Sequence, residues 1–165
     1  MDVSLLRPDD ARVQYVSASV RGKTYEYMIG NPPQDHPVAT IFLIHGFPDI
    51  PHGWRFQVPY LMSLGFCVVV PSMLGYAGTD APRELAEYTF KSLSADVKEL
   101  AAQIVGDGQI ILGGHDWGGM LVWRVSMYYP ELVKAVFSVC TPYIAPQTVY
   151  FDVEELAADR MPNLG

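Results

Sequence analysis

The sequence has few cysteines, few positive charges and no long apolar run. Cys67 and Cys140 are its two cysteines, and both lie inside apolar runs, so we expect buried free thiols in a reducing compartment rather than a disulfide framework. With 11 Lys and Arg against 18 Asp and Glu, the net charge is −7, which argues against nucleic acid or an anionic membrane surface as the main partner. No apolar stretch approaches the roughly 20 residues that span a bilayer, and the start, MDVSLLRPDD, has no signal-peptide core. These absences predict a cytoplasmic protein without a membrane span.

The sequence does contain an alternation of strand-like and helix-like segments. Hydrophobic residues make up 50% of the chain and charged residues 18%, as in a globular domain. Apolar or alternating runs predict strands at Val13–Ser19, Lys23–Ile29, Thr40–Ile44, Cys67–Val70, Ile110–Leu112 and Ala135–Val139. Helical spacing with glycine or proline stops predicts helices at Trp54–Leu64, Ser92–Val105 and Gly118–Tyr129. The last helix is apolar almost all round, so we expect it to be buried. This order is typical of an α/β fold with a mostly parallel sheet and helices on both faces.

The segment GGHDWGG at residues 113–119 carries the strongest indication of chemistry. It lies between a predicted strand and a predicted helix, the setting of a nucleophile elbow in which Asp116 replaces the serine of esterases. Such a turn is sharp, so Gly114 and Gly118 lack side chains where the backbone is crowded, and Gly119 lets the helix pack closely. The helix N-terminus favours the ionised carboxylate. A carboxylate suits SN2 attack on an activated sp³ carbon, so the pattern predicts an alkyl ester on Asp116.

Other interpretations of this segment stay open from the residues alone. Asp116 could merely cap the helix that follows it. His115 is expected to be a scaffold histidine rather than a catalytic one, because neighbours in an elbow point in different directions. Trp117 contributes its backbone N–H in either case, and its indole either lines a pocket or packs.

A second segment, HGFP at residues 45–48, also follows a predicted buried strand. Gly46 permits a tight turn, and Pro48 shapes the loop because its φ is fixed and it has no N–H. We predict that the backbone N–H groups of Phe47 and Trp117 converge on an oxyanion, where one such donor is worth on the order of 3 kcal/mol in rate. His45 is expected to hold the loop through hydrogen bonds of its ring.

Together these motifs resemble the epoxide hydrolases of the α/β-hydrolase superfamily, of the fungal soluble type. The similarity runs from about Tyr25 to Tyr143. It is carried by HGFP (45–48), GWRFQVPYL (53–61), VVVPSMLGYAGTD (68–80), GGHDWGG (113–119) and YPELV (129–133). Three positions depart from the family pattern: Ser72 stands where Asp is usual, Ala77 where Gly is usual, and Pro51 where the family often has a pocket-lining Trp.

The resemblance implies an α/β-hydrolase fold with about six of its eight strands in this chain. Residues 1–141 would form the N-terminal part of the core, and residues 142–165 the start of a cap. It also implies hydrolysis of a small apolar epoxide by water to a vicinal diol, as in detoxification, with no cofactor and no metal. The family's cap tyrosines, charge-relay acid and catalytic histidine find no match here. We therefore expect the remaining C-terminal segment of the same enzyme to complete the site.

Two alternatives remain beside the epoxide hydrolase. A haloalkane or haloacid dehalogenase uses the same Asp nucleophile, and the Trp117 indole would then be one halide-binding donor. A catalytically incomplete fragment or binder would have kept the fold and lost turnover.

Overall fold

Residues 2–146 are described by a computed structural model, in which strands alternate with helices. The strands are β1 (Gln14–Val20), β2 (Lys23–Gly30), β3 (Thr40–Ile44), β4 (Cys67–Pro71), β5 (Ile110–His115) and β6 (Val133–Val139). The helices are α1 (Gln57–Ser63), α2 (Phe90–Val105) and α3 (Trp117–Tyr128), with short 3₁₀ helices at Pro51–Trp54 and Leu85–Tyr88. Among the described residues, no helix combines the length and hydropathy that crossing a membrane requires.

The strands form one sheet in the order β1-β2-β4-β3-β5-β6. The first two strands form an antiparallel hairpin, of which β2 also pairs antiparallel with β4, and β3, β4, β5 and β6 are parallel to one another. This confirms the predicted α/β class with a mostly parallel sheet. Thr40 pairs with Ile110 and Ile44 with Gly114. Since β3 and β5 are parallel neighbours, the loops that follow them emerge side by side at the same edge of the sheet.

The central strands are covered on both faces, as their continuous apolar runs predict. Every residue of β3 and β4 is buried, and alternate side chains enter different cores. Phe42 and Ile44 pack with α2 and α3 on one face, whereas Ile41 and Leu43 pack with Trp54 and α1 on the other. The sheet is thus a rigid support for the two loops at its edge.

The predicted helix over Trp54–Leu64 is wrong at its start. Trp54 instead ends a 3₁₀ helix that begins at Pro51, and α1 begins at Gln57. Pro59 explains the late start, because proline has no N–H to bond to the turn before it and is tolerated only in the first turn of a helix. The predicted stop is confirmed, since Gly65 follows the helix with φ 96°.

Two predictions of burial are wrong, and both concern the side of the sheet where β6 lies. Among the described residues β6 has a neighbour on one side only. Cys140, which follows this strand, is exposed, whereas Cys67 is buried as expected, and both are free thiols. The helix α3 is not buried all round either: Leu121 and Val125 are buried, but Met127 is 40% exposed. Apolar composition alone does not reveal which face of an element has a partner.

The predicted boundary between a core (1–141) and a cap (142–165) stays a prediction. Residues 147–165 lie outside the described part of the chain, and with them most of the proposed cap segment.

Candidate active site

The turn between β5 and α3 has the geometry of a nucleophile elbow. Asp116 adopts φ 55° and ψ −121°, a conformation that non-glycine residues rarely hold and that is often found at functional sites. The flanking glycines are required by close packing of the backbone. A side chain on Gly114 would overlap the backbone of Gly118, and one on Gly118 would overlap the carbonyl of Ile44. One on Gly119 would overlap the hydroxyl of Ser138 in β6 and the side chain of Thr141 just after that strand. This crowding is the steric reason for which these three glycines were expected at the turn.

The carboxylate of Asp116 is directed at the neighbouring loop rather than at its own helix. Among the described residues it makes no capping hydrogen bond to α3. Its Oδ1 instead accepts a hydrogen bond of 2.9 Å from the backbone N–H of Phe47. That N–H foremost, and the N–H of Trp117 next, lower the pKa of Asp116 from its ordinary value of 3.8. At its partly exposed position the ionised side chain is therefore stabilised by the hydrogen bond from Phe47 and, less strongly, by the nearby N–H of Trp117 at the start of α3.

The HGFP loop is fixed by His45, which is buried. Its Nδ1 lies 2.9 Å from the carbonyl oxygen of Gly46, and its Nε2 accepts a hydrogen bond of 3.0 Å from the N–H of Met73. The ring is thus a neutral imidazole with its proton on Nδ1, and burial lowers its pKa further. These contacts are the ones expected of a histidine that holds the loop. Pro48 follows Phe47 in the same loop through a cis peptide bond, and it is exposed.

An apolar cavity of about 290 Å³ opens beside the elbow. Its wall includes five residues of the predicted site, which lie on either side of Asp116: His45, Gly46, Phe47, Trp117 and Gly118. The other lining residues are all apolar or aromatic: Ile44, Met73, Leu74, Tyr76, Tyr88, Phe90, Leu93 and Leu121. The Trp117 ring stacks on Phe90 with 6.1 Å between ring centroids. The arrangement can bring an apolar molecule next to the two backbone donors.

The family follows from a comparison of the sequence with family models. The model described as alpha/beta hydrolase fold matches residues 39–165, which include both loops of the site. The chain belongs to the α/β-hydrolase fold family. The sheet order and the elbow described above are those of an α/β hydrolase, so the predicted fold is confirmed.

Individual relatives of this α/β hydrolase are epoxide hydrolases. Epoxide hydrolase srdG of Neurospora crassa is 44% identical over the whole chain and 50% of its own length. Bifunctional epoxide hydrolase 2 of Sus scrofa is 41% identical over 63% of this chain and 19% of the relative. The crystal structure of epoxide hydrolase VrEH1 from Vigna radiata superposes with a TM-score of 0.79 at 28% identity, covering 90% of this chain and 46% of that one. The resemblance is confirmed. The chain spans about half the length of srdG and a smaller share of the other two relatives.

The structure adds residues to the site of this α/β hydrolase that the sequence did not single out. Thr141, in the turn after β6, donates a hydrogen bond of 2.9 Å from its hydroxyl to the backbone carbonyl of Asp116. Tyr88, shortly before α2, and Phe90, the first residue of that helix, also line the cavity. Nothing in the local sequence marks them, because their role depends on contacts between segments far apart in the chain. Only the register of β5 against β6, which pairs His115 with Val139, brings Thr141 to the elbow.

The N–H of His115 is not among the backbone groups that stabilise the Asp116 carboxylate, which are those of Phe47 and Trp117. The charge of His115 is a minor contribution to the lowered pKa of Asp116, and the residue ends β5 at a partly buried position. The described residues contain no group of three or more His, Cys, Asp and Glu side chains arranged to hold a metal ion.

Proposed function

We propose that the protein hydrolyses epoxides to vicinal diols, with Asp116 as the nucleophile. One observation carries the proposal: a carboxylate stands at the elbow of an α/β hydrolase and accepts the Phe47 N–H at 2.9 Å, beside an apolar cavity. Relatives named epoxide hydrolases support the choice of substrate. A small apolar epoxide would place its substituent in the cavity and its ring carbon near Asp116.

In the first step Asp116 forms an ester with the substrate. Since Oδ1 is held by the Phe47 N–H, Oδ2 is the oxygen free to attack. It bonds to an epoxide carbon as the carbon–oxygen bond of the ring breaks, and the released alkoxide takes up a proton. The product is an alkyl ester on Asp116 with a hydroxyl on the adjacent carbon. The lowered pKa keeps the nucleophile ionised.

In the second step water cleaves this ester. Water adds to the carbonyl carbon of Asp116 and loses a proton, and the carbonyl oxygen becomes an oxyanion. When the intermediate collapses, the carboxylate is restored and the diol leaves. The former Oδ1 carries the developing charge, so the N–H groups of Phe47 and Trp117 form the oxyanion hole. Such preorganised donors are typically the largest electrostatic contribution to catalysis of this kind.

We place the proton donors and the base that activates water in a C-terminal segment beyond these 165 residues. This rests on the relatives, of which the chain spans about half or less, and on the absence of a matched histidine at the site within residues 2–146. We also propose a cytoplasmic location and a role in detoxification. The two free thiols fit a reducing compartment, and opening an epoxide removes an alkylating electrophile.

The proposal is tested by offering matched substrates to the protein produced from its full reading frame. Styrene oxide and a haloalkane with the same phenylethyl skeleton separate an epoxide hydrolase from a dehalogenase. We expect diol from the epoxide and no halide release, and no diol above background with Asp116→Ala or Asp116→Asn. Halide release without diol formation would identify a dehalogenase. Turnover by Asp116→Ala at a rate comparable to the unmodified protein would show that the nucleophile is another group.

A further inference from the structure

Thr141 is the one side chain of the turn after β6 that bonds to the backbone of the nucleophile. Its hydroxyl donates to the carbonyl oxygen of Asp116 at 2.9 Å. The same carbonyl accepts the N–H of Met120 at 3.1 Å, as expected within the first turn of α3. The hydroxyl is therefore not needed to satisfy this carbonyl. It adds a second anchor that comes from outside the helix.

This anchor fixes the orientation of the peptide between Asp116 and Trp117. A trans peptide is planar, so its C=O and N–H bonds point in opposite directions and turn together. The Asp116–Trp117 bond is not among the cis bonds of the described chain. A hydrogen bond that holds the Asp116 carbonyl toward Thr141 therefore also holds the Trp117 N–H on the opposite side. Trp117 lines the same cavity as Phe47, whose N–H binds the Asp116 carboxylate at 2.9 Å, and the N–H groups of both residues lower the pKa of that carboxylate.

The turn that carries Thr141 is itself well fixed. Its carbonyl accepts a hydrogen bond of 3.2 Å from the indole N–H of Trp123 on α3. Gly119 packs against it so closely that a Cβ there would lie 2.7 Å from the Thr141 Cβ. Cys140, just before it, has φ 63°, so the chain turns sharply at this point. A hydroxyl on such a support can restrain the peptide of Asp116 rather than follow it.

We propose that Thr141 is a positioning residue, which aims the Trp117 N–H at the oxyanion that forms when water cleaves the ester on Asp116. This inference rests on the proposed function. The first step requires the carboxylate but forms no oxyanion on Asp116, whereas the second step does. Loss of the hydroxyl therefore slows ester hydrolysis and leaves ester formation nearly unchanged.

The kinetic consequence is specific. Since kcat/KM reports only the steps up to the first irreversible one, here ester formation, it stays near the value of the unmodified protein. We expect kcat to fall on the order of 10-fold, less than the 100-fold or more for complete removal of an oxyanion donor. KM then falls by the same factor, and the ester accumulates. A variant that had merely lost stability would lower kcat and kcat/KM together.

The experiment compares Thr141→Val, Thr141→Ser and Ser138→Ala in the protein produced from its full reading frame. Ser138 is the matched control, because it also packs against Gly119 but its hydroxyl has no partner among the described residues. Steady-state kinetics with styrene oxide are combined with acid quench and intact mass measurement of the alkyl-enzyme. We expect ester accumulation with Thr141→Val, and wild-type behaviour with Thr141→Ser and Ser138→Ala. Thr141→Ala carries the same expectation if the valine variant does not fold.

The outcomes distinguish this inference from the function beneath it. If the unmodified protein never forms an ester on Asp116, the proposed function fails and the role of Thr141 fails with it. If the unmodified protein forms the ester but the valine and alanine variants do not accumulate more of it, the role assigned to Thr141 alone is wrong. An equal loss of kcat and kcat/KM in those variants would also contradict it.

Discussion

Substituting Gly46 by alanine tests how closely the HGFP loop must approach the carboxylate of Asp116. Gly46 is not among the positive-φ residues, so alanine can adopt its backbone conformation and the effect is purely steric. A Cβ at this position would lie 2.5 Å from the Cβ of Asp116, 2.6 Å from its Oδ1 and 2.8 Å from the carbonyl oxygen of His115. The loop and the elbow cannot both remain in place.

The size of the displacement follows from these distances. Restoring ordinary van der Waals separation from Oδ1 requires a shift of about 0.8 Å. A shift of that size along the contact would lengthen the 2.9 Å bond from the Phe47 N–H beyond the roughly 3.2 Å limit of a good hydrogen bond. We expect kcat to fall on the order of 100-fold, the typical cost of one lost oxyanion donor. The acid limb of ester formation also moves up toward pH 3.8, because this N–H is the main cause of the lowered pKa.

Rapid-quench kinetics on Gly46→Ala measure both effects. Gly22→Ala is the control: Gly22 has φ 80° and open space around it, so alanine there costs about 1 kcal/mol of stability without touching the site. Its activity per folded molecule is expected to be unchanged. The steric reasoning would be refuted by a Gly46→Ala enzyme that keeps kcat within about threefold, with the Phe47 N–H still bonded to Asp116 in its crystal structure.

Two further predictions concern stability. Ala77 has φ 45°, which costs roughly 1–2 kcal/mol for a residue with a Cβ, so Ala77→Gly is expected to stabilise by about 0.5–1 kcal/mol after the larger entropy of the unfolded glycine chain is subtracted. Urea titration measures the change in the free energy of unfolding. The control is Ala81→Gly, which is expected only to destabilise, because Ala81 is exposed and lacks a positive φ. Equal losses of stability at both positions would contradict the prediction. Burial lowers the pKa of His45, so the unfolded chain takes up its proton at higher pH than the folded one, and stability is lost as pH falls below 6.5. Thermal unfolding between pH 8 and 5 measures this loss of stability, which we expect to disappear in His45→Gln and to remain in a variant of exposed His36. If His45→Gln keeps the pH dependence of the unmodified protein, His45 is not its cause.

The parts of the site that the sequence predicts are those set by local sterics. The glycine pattern around Asp116 indicates a sharp turn, because a side chain at Gly114 or Gly118 would overlap the backbone. An apolar run reports a buried strand, because both faces of the sheet are covered. Phe47 could be predicted beside Asp116 only because two parallel strands in a recognised sheet order end side by side.

The parts that the sequence does not predict depend on distant packing. Asp96 lies in the middle of α2 and is fully buried, paired with Arg21 at 2.8 Å and with the Tyr25 hydroxyl at 2.8 Å. An acidic residue on a helix predicts a solvent-exposed face, so the sequence does not predict that Asp96 joins α2 to the first hairpin. Cys140 shows the reverse error, an exposed residue at the end of an apolar run. In both cases burial depends on whether another segment of the fold covers the residue, and not on the polarity of its side chain.

The covalent step on Asp116 is tested most directly by isotope labelling in a single turnover. The enzyme in excess is mixed with styrene oxide in heavy-oxygen water, and the peptide containing Asp116 is analysed by mass spectrometry. Water that cleaves an ester at the carbonyl carbon of Asp116 leaves one of its oxygens in that carboxylate. We expect the label in Asp116 and an unlabelled diol after the first turnover. Label found in the diol, with none in Asp116, would mean that water attacks the epoxide directly and that Asp116 is not the nucleophile.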